Sequence, residues 1–525
     1  MADRALVGLA LRQIRFGGLA VTSVAIALTA LVVATAETIV TDRSNLASLE
    51  ALASNPAIRT LFGPPIALDS VGGFTVWRTA TPLAVIVGVW TIVAATRITR
   101  GEEDAGRWSL LLSGHRPLRD VLSWTAGVLA VAPLAAGVGA AAALASAGTA
   151  GALIHGAGIV MVGWFFVGCA VLGAQVFASR SAATTGAVAV LGATLLARMI
   201  GDGVEALGWL RWVSPFGLLE LSRPYAGNRW SPLVLLLVAA VALMAAALVV
   251  AGRRDVGSGV LVAGPRRSST VLLGSVGGFA VRRLLVPLTA WAIALGAYYL
   301  LIGLVADSAL TFLRDNPEFS SRAGQAGFAD LASVEGYTAT LFAILAMPVG
   351  GFVAVRLAAF ADAETDRRLT PLVAAPVTRL RLVGAEITAT LLGAVALTVL
   401  SGAAAWAGVT LSGNRDLSLA EALAGTLNML PIVLLCVGTS VLALGWAPRG
   451  VTLLGGLPGG GGFLLYVLAL DAGAPAWVVN CSPFAHLAAV PLESPNWLAS
   501  GVMSAFGVAA TVVGALRFGR RDLRG

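Results

Sequence analysis

The sequence predicts an all-α, polytopic membrane protein with about 12 transmembrane helices arranged as two parallel six-helix repeats. Hydrophobic residues make up 58% of the 525 residues and charged residues only 12%, whereas soluble globular domains are roughly 45 to 50% apolar. Apolar stretches long enough to cross a bilayer recur along the whole chain. In addition, several short motifs occur twice at nearly the same spacing, which indicates an internal duplication.

The predicted spans follow from the length of the apolar stretches, since a helix needs about 20 residues to cross the hydrocarbon core. Six lie in the first half of the chain, near residues 17–40, 80–97, 121–147, 150–178, 182–200 and 231–252. Six more lie in the second half, near residues 285–305, 337–358, 380–410, 418–446, 450–472 and 498–517. The 62 glycines favour close helix packing in lipid.

The charge distribution orients the chain in the membrane. The net charge is +8, all 35 basic residues are Arg, and most of them fall on the side that holds both termini. By the positive-inside rule this side is the cytoplasm. The basic charge is therefore expected to meet anionic lipid headgroups and not a nucleic acid.

A charged segment at residues 102–112, between two apolar stretches, is the most distinctive polar feature. Its pattern returns at residues 363–373, and Glu103 and Glu364, like Arg107 and Arg368, are 261 residues apart. On a helix, a Glu and an Arg four residues apart share one face and can pair. From the residues alone the segment is interpreted as a solvated, self-paired helix whose following apolar residues rest on an apolar surface.

Other repeated motifs extend the duplication. Arg180 and Arg449 occupy matching inner loops, and the motif Gly-Arg-Arg-Asp occurs at 252–255 and at 519–522. The pattern Trp-x4-Ser-Pro-Phe begins at Trp209 and again at Trp477, where a short outer helix is expected because Pro does not continue a helix.

These matches divide the chain into three parts. They are a first six-span half at 1–252, a cytoplasmic linker with an interfacial helix at 253–283, and a second six-span half at 284–525. A second interfacial helix is predicted at residues 3–16, before the first span. Six spans per half give both copies the same orientation, so we expect a pseudo-twofold axis along the membrane normal.

The chemistry that the sequence lacks excludes several functions. The chain contains no Lys, so it has no Walker A loop. His115, His155 and His486 stand apart and the three cysteines are scattered, so neither a metal site nor a disulfide framework is expected. A membrane enzyme that acts on lipid-linked substrates would need paired carboxylates or a metal site at the interface, and the sequence shows neither. No catalytic residue is therefore assigned.

An ion-driven secondary carrier with twelve spans is the alternative function. Such carriers usually hold ionisable residues at mid-membrane depth. Here Glu37, Arg198, Asp202 and Glu386 lie near span ends, where snorkelling makes them affordable without a function. The glycine run at 455–462 is interpreted either as a flexible break in the eleventh span or as a site of tight helix packing.

The ordered set of these features resembles the permeases of type-2 ABC exporters. The fused twelve-span form resembles the actinobacterial exporters of polyketide antibiotics of the tetronasin type, which include mycobacterial multidrug exporters. The resemblance covers essentially the whole chain. It implies a transport subunit in the bacterial plasma membrane, itself not an enzyme, that pairs with a homodimer of a separate ATP-binding subunit carrying ATP and Mg.

The resemblance also implies which residues couple transport to the partner. The coupling helix of that family maps onto residues 102–118 and 363–379, which include Glu103, Arg107, Glu364 and Arg368, and the matching loops add Arg180 and Arg449. Residues 374–377 keep the usual pattern of the family, whereas residues 113–116 do not. Equal coupling by the two halves is therefore in doubt.

The substrate pathway is expected between the halves, along the second and eighth spans. Large apolar side chains occur there at Trp90, Phe342, Met347 and Phe352. A pocket of that composition selects hydrophobic or amphiphilic compounds, such as antibiotics or lipids. The alternative is that these side chains only pack against neighbouring helices.

Overall fold

The computed structural model describes residues 2–40, 59–60, 63–112, 117–260, 271–315, 333–365, 369, 376–471 and 474–521. The described residues form helices and connecting turns, and twelve helices are long and apolar enough to cross a membrane. The predicted all-α class and the twelve spans are therefore confirmed. The chain divides into two compact units, Met1–Arg266 and Arg267–Gly525.

The described part of unit 1 contains six long helices and three short ones. They are α1 (Ala2–Val40), α2 (Val71–Thr96), α3 (Glu102–Asp104), α4 (Arg107–Leu111), α5 (Leu118–Leu144), α6 (Thr149–Val176), α7 (Arg180–Gly203), α8 (Pro215–Leu221) and α9 (Ser231–Ala251). A π-helical turn at Arg97–Gly101 joins α2 to α3, and 3-10 turns lie at Ala145–Ala147 and Glu205–Val213.

Helix α6 is the centre of unit 1, since it packs against α2, α5, α7 and α9. Glycines set its distance from α5. A Cβ atom on Gly137 would lie 2.4 Å from the carbonyl oxygen of Gly156, and a Cβ on Gly156 would lie 2.5 Å from that of Gly137. The two backbones therefore touch at a point where only Gly fits, as is common in membrane helix pairs.

The described part of unit 2 contains ten helices, some of them joined by π and 3-10 turns. The helices are α10 (Val276–Leu304), α11 (Ala306–Asp315), α12 (Val334–Thr365), α13 (Arg379–Leu411), α14 (Leu419–Leu427), α15 (Leu430–Trp446), α16 (Val451–Gly456), α17 (Gly462–Asp471), α18 (Ala476–Val479) and α19 (Trp497–Arg520). The turns lie at Pro448–Gly450, Leu457–Gly461 and Pro483–His486.

Two helix pairs of unit 2 pack closely at glycines. In the pair of α10 and α13, a Cβ on Gly408 would lie 2.3 Å from the carbonyl oxygen of Leu300. In the pair of α15 and α19, a Cβ on Gly507 would lie 2.7 Å from the backbone of Leu434. Backbone atoms cannot swing aside as a side chain does, so both positions require Gly.

The helix predicted at 3–16 is continuous with the first span and not separate from it, and residues 261–270 of the predicted linker lie outside the described residues. Helix α1 runs without a break from Ala2 to Val40, and α10 runs from Val276 through Arg282 and Arg283 into its span. Gly17 and Gly18 in α1 do not break the helix. Instead they let Trp90 of α2 pack closely, because a Cβ on Gly17 would lie 2.7 Å from Nε1 of Trp90.

The predicted short helices after the fifth and eleventh spans are present. Ser214 caps α8, and its hydroxyl donates to the carbonyl oxygen of Thr194 at 2.7 Å. Ser482 caps the 3-10 turn at 483–486, and its hydroxyl donates to the carbonyl oxygen of Gly462 at 2.8 Å. The same hydrogen bond, between residues 20 apart, thus occurs once in each unit.

Candidate coupling site

The charged segment of unit 1 consists of short helical pieces and is not one continuous helix. It starts with the π-helical turn Arg97–Gly101 and continues in α3 and α4, which are separated at Gly106 with φ +72°. A residue with positive φ interrupts the helix, so Glu103 and Arg107 do not lie on one face of a continuous helix. The predicted Glu103–Arg107 pair is therefore wrong; Arg107 donates through Nη2 to Oε1 of Glu102 at 2.7 Å.

Glu103 instead forms a buried bidentate pair with Arg254, just after α9. Nη1 and Nη2 of Arg254 each donate to a Glu103 carboxylate oxygen at 2.6 Å. The side chains of Glu103 and Arg254 are only 1% and 3% exposed. The amide of Gly257 also donates to Oε1 of Glu103 at 2.7 Å. This arrangement, called the Glu103–Arg254 latch below, ties the segment after α2 to the end of α9.

Arg100 completes the attachment of the chain that follows α9. Its buried guanidinium donates to the carbonyl oxygen of Ser258 at 2.8 Å and to that of Ala178 at 2.7 Å. Its Nε lies 3.0 Å from Oδ1 of Asp104. Nε of Arg254 donates to Oε1 of Gln175 at 2.8 Å. The start of the linker is thereby held against the ends of α2 and α6.

Arg180 also belongs to this end of unit 1. Its backbone N–H donates to Oδ2 of Asp104 at 2.9 Å. A Cβ on Gly101 would lie 3.0 Å from Cδ of Arg180, so its side chain passes close to the π-helical turn. The structure thus brings Glu103, Arg107 and Arg180 to one end of the bundle.

Unit 2 carries an equivalent latch between Glu364 and Arg521. Nη2 of Arg521 donates to Oε1 of Glu364 at 2.6 Å, and its guanidinium lies 5.2 Å from the centre of the Phe518 ring. Arg379 donates to the backbone carbonyl of Arg521. Glu364 lies in the last turn of α12, and Arg521 directly follows α19. The latch therefore again joins the end of the second span of its unit to the end of the sixth.

The two remaining residues predicted for coupling in unit 2 have different outcomes. Arg368 lies outside the described residues, as do residues 113–116, 374 and 375. Arg449 is exposed and lies in the 3-10 turn Pro448–Gly450, which packs against α12 and α15.

The hydrogen bonds by which Arg100 holds the start of the linker have no counterpart at the matching positions of unit 2. At the offset of 261 residues that relates Glu103 to Glu364, Arg100 corresponds to Ala361 and Asp104 to Thr365. The sequence analysis missed the role of Arg100 and Arg254, although Glu103 and Arg254 recur together as Glu364 and Arg521, and this joint repetition is the signal for their pairing.

Three of the four charged residues assigned to snorkelling positions are buried in ion pairs. The side chain of the fourth, Glu37, lies outside the part that the structure describes. Arg198 is 1% exposed, and its Nε lies 2.7 Å from Oδ2 of Asp202. In unit 2, Glu386 is 1% exposed and accepts from Arg356 at 2.7 Å and from Arg283 at 2.6 Å. The snorkelling interpretation is therefore wrong for these three residues, because their charges are neutralised inside the protein.

The four predicted pathway residues lie within the packing of their own units. Trp90 is half-buried against α1, and Phe342 is buried against α14, where a Cβ on Gly425 would lie 2.4 Å from its ring. Phe352 is buried, with its ring 6.2 Å from that of Trp291. Met347 is half-buried beside Gly459.

Replacing Arg100 by Ala should release the start of the linker. Without the guanidinium, the carbonyl oxygen of Ala178 loses its donor and that of Ser258 keeps only Nη1 of Arg254, at 2.6 Å. Leaving a buried acceptor without its donor costs about 1 to 3 kcal/mol. We expect faster amide hydrogen exchange at residues 256–260, measured by mass spectrometry. The matched control is Arg97→Ala on the same turn, whose side chain is exposed. Unchanged exchange in Arg100→Ala would show that the linker is held by other contacts.

Two comparisons with known proteins show which family the chain belongs to. The family model described as "Multidrug efflux system permease Rv1217c, C-terminal domain" matches residues 4–250 and 273–519. The chain is also 31% identical over 514 residues to the Multidrug efflux system permease protein Rv1217c of Mycobacterium tuberculosis (strain ATCC 25618 / H37Rv), covering 94% of this chain and 90% of that protein. With its twelve apolar helices, the chain is a multi-pass membrane protein, and it belongs to the family of multidrug efflux system permeases that this model describes.

Proposed function

We propose that this chain is the transmembrane permease subunit of an ATP-driven exporter that moves hydrophobic or amphiphilic compounds, such as antibiotics or lipids, out of the cell. The observation that carries the proposal is the 31% identity to a multidrug efflux permease across nearly the whole chain. The subunit transports and is not itself an enzyme. The ion-coupled secondary carrier is not favoured by this relationship.

The partner proposed is a homodimer of a separate ATP-binding subunit, which carries ATP and Mg. The permease contains no Lys and so lacks the Walker A loop that would cradle the phosphates. The proposed location is the bacterial plasma membrane with both termini in the cytoplasm, because the Arg residues are concentrated on that side. The latches then lie at the cytoplasmic ends of the spans.

The charged segment of unit 1 is suited to transmit a movement of the ATP-binding subunit to the helices of the bundle. Residues 104–107 are exposed and form the surface offered to the partner, whereas Trp108 is only 2% exposed and anchors the segment in the bundle. Glu103 is fixed to Arg254 through two hydrogen bonds of one rigid fork. A push on residues 104–107 therefore moves the ends of α2 and α9 together. The Glu364–Arg521 latch gives unit 2 the same link.

Reconstitution with the ATP-binding subunit tests this function. The purified chain alone should show no ATP turnover above that of an empty-membrane preparation. With the partner, lipid vesicles should hydrolyse ATP faster when an amphiphilic compound is added, and should accumulate the compound only with ATP. Transport that needs an ion gradient and no ATP would overturn the proposal and restore the secondary carrier.

A further inference from the structure

Three charged side chains of unit 2 form a cluster near one end of α10, α12 and α13. Nη1 of Arg283 donates to Oε1 of Glu386 at 2.6 Å, and Nη2 of Arg356 donates to Oε2 of Glu386 at 2.7 Å. The side chains of Glu386 and Arg356 are only 1% and 5% exposed. Two guanidinium groups, from two different helices, therefore share a single buried carboxylate.

This cluster carries one positive charge more than its carboxylate balances. Within the described residues, neither Arg283 nor Arg356 pairs with a second acidic group. Nε of Arg356 is also buried and donates to no acceptor in that part of the chain. A charge held away from water is costly unless a partner compensates it. The cluster is therefore short of one anion.

Arg283 is the member of the cluster that a ligand can reach. Its side chain is 22% exposed, and among the described residues its guanidinium donates only to Glu386. A guanidinium has five N–H donors in a rigid fork, so most of them remain for a ligand. The rings of Phe279 and Phe360 lie 5.8 and 5.9 Å from this guanidinium and keep it in place. The exposed edge of Arg283 thus offers donors to an anion outside the bundle.

The position of Arg283 along α10 places this edge at the depth of lipid headgroups. Helix α10 has 29 residues and starts at Val276, whereas about 20 residues cross the hydrocarbon core. Its first two turns, which end at Arg283, therefore reach into the headgroup layer. The following residues Leu285 and Val286 are 45% and 68% exposed, as expected where a spanning helix turns apolar side chains to lipid.

The ligand that fits this position is an oxyanion attached to an apolar body. Phosphate oxygens match the paired donors of a guanidinium, and anionic phospholipids carry a phosphate at this depth. We propose that Arg283 binds the headgroup phosphate of an anionic phospholipid, which supplies the anion that the cluster lacks and stabilises the joined ends of α10, α12 and α13. This inference concerns the lipid around the chain and does not depend on the exported compound.

The matching positions of unit 1 lack these charges. At the offset of 261 residues that relates Glu103 to Glu364, Arg356 corresponds to Ala95 and Glu386 to Thr125. The hydroxyl of Thr125 donates to the carbonyl oxygen of Val121 in its own helix, at 2.8 Å. A dependence on anionic lipid should therefore come from unit 2.

Melting of the purified full chain in detergent with added lipid tests the proposal. The probes are phosphatidylglycerol, which is anionic, and phosphatidylcholine with the same acyl chains, whose own cation balances its phosphate. Phosphatidylglycerol should raise the melting temperature of the wild type more than phosphatidylcholine does. Arg283→Gln should abolish this difference, and it should still fold because Arg356 and Glu386 remain as a balanced pair. The matched control is Arg381→Gln, an exposed arginine of α13, which should keep the wild-type difference.

A second variant should shift the result in the opposite direction. Glu386→Gln leaves two arginines without a carboxylate, so it should gain more from phosphatidylglycerol than the wild type does; folding only when that lipid is present counts as the same result. An unchanged difference in Arg283→Gln, an equal loss in Arg381→Gln or a smaller gain in Glu386→Gln would overturn the proposal. Equal stabilisation by inorganic phosphate would also overturn it, because the ligand would then be a free anion and not a lipid.

Discussion

Reversing the charge of Glu103 to Lys should prevent the chain from accumulating as a folded protein. The variant places a cation against Arg254 and Arg100, both buried, in a site where Glu103 is 1% exposed. Breaking a buried ion pair costs about 3 to 5 kcal/mol even without a repulsive replacement. This is a large share of the 5 to 15 kcal/mol that typically stabilises a folded domain, by order of magnitude.

Arg107→Glu is the matched control for this experiment, because Arg107 lies in the same segment but is 57% exposed. Its pair with Glu102 is expected to contribute only about 0.2 to 1 kcal/mol. The measurement is the amount of membrane-inserted, monodisperse protein and its melting temperature in detergent. Wild-type melting of Glu103→Lys would show that Glu103 is not held in the buried latch.

The ion pair of Glu364 and Arg521 in unit 2 can be tested by exchanging its two charges. Glu364→Arg should destabilise the chain, and adding Arg521→Glu should recover part of the loss, because the pair is restored with exchanged charges. Recovery by the exchange would distinguish a specific pair from a general need for a negative charge at the end of α12.

The sequence predicted the fold class and the spans because both depend on features that the chain displays directly. A stretch such as 121–147 is apolar over its full length and has no other stable place than a bilayer helix. The repetition of Glu103 as Glu364 also marked the right segment. The part that failed was the partner of Glu103, since the four-residue rule assumes a continuous helix, and Gly106 at φ +72° interrupts it.

Not all partners of the buried charges were predictable from local spacing. Asp202 follows Arg198 by four residues and pairs with it, but Glu220, 22 residues after Arg198, joins the same cluster only because α8 folds back beside α7. Likewise Glu386 meets Arg283, which lies 103 residues earlier in the chain. Snorkelling to the membrane surface was the simplest expectation for a lone charge near a span end. Tertiary packing supplied a countercharge instead.

The glycine run of the eleventh span has two faces with different neighbours. A Cβ on Gly455 would lie 2.0 Å from Oγ of Ser440 and 3.1 Å from Cβ of Ala354, and one on Gly459 would lie 3.0 Å from the carbonyl oxygen of Ala346. On the other face, a Cβ on Gly456 or Gly460 would have no atom of the described chain within 4 Å. Tight packing therefore explains the first pair and not the second.

Gly459→Leu should disrupt unit 2, whereas Gly460→Leu should not. A Leu side chain at 459 would have to displace the backbone of α12, and overpacking of this kind costs about 1 to 3 kcal/mol or more. At 460 the same side chain enters open space, and replacing Gly within a helix gains up to about 1 kcal/mol. Melting temperatures and yields of the two variants in detergent measure this difference, and equal destabilisation would contradict the described packing.

Transport by the stable variants separates the two interpretations of the run. The π-helical turn at Leu457–Gly461 and Pro458 interrupt the span, and such turns are frequent at functional sites. If packing at Gly455 and Gly459 is the whole reason for the run, Gly456→Ala and Gly460→Ala will export amphiphiles at the wild-type rate while melting at the same or a higher temperature. We expect this result, because an Ala at either position meets no neighbour. Loss of export in a variant that melts at or above the wild-type temperature would show instead that the span must bend at these glycines during transport.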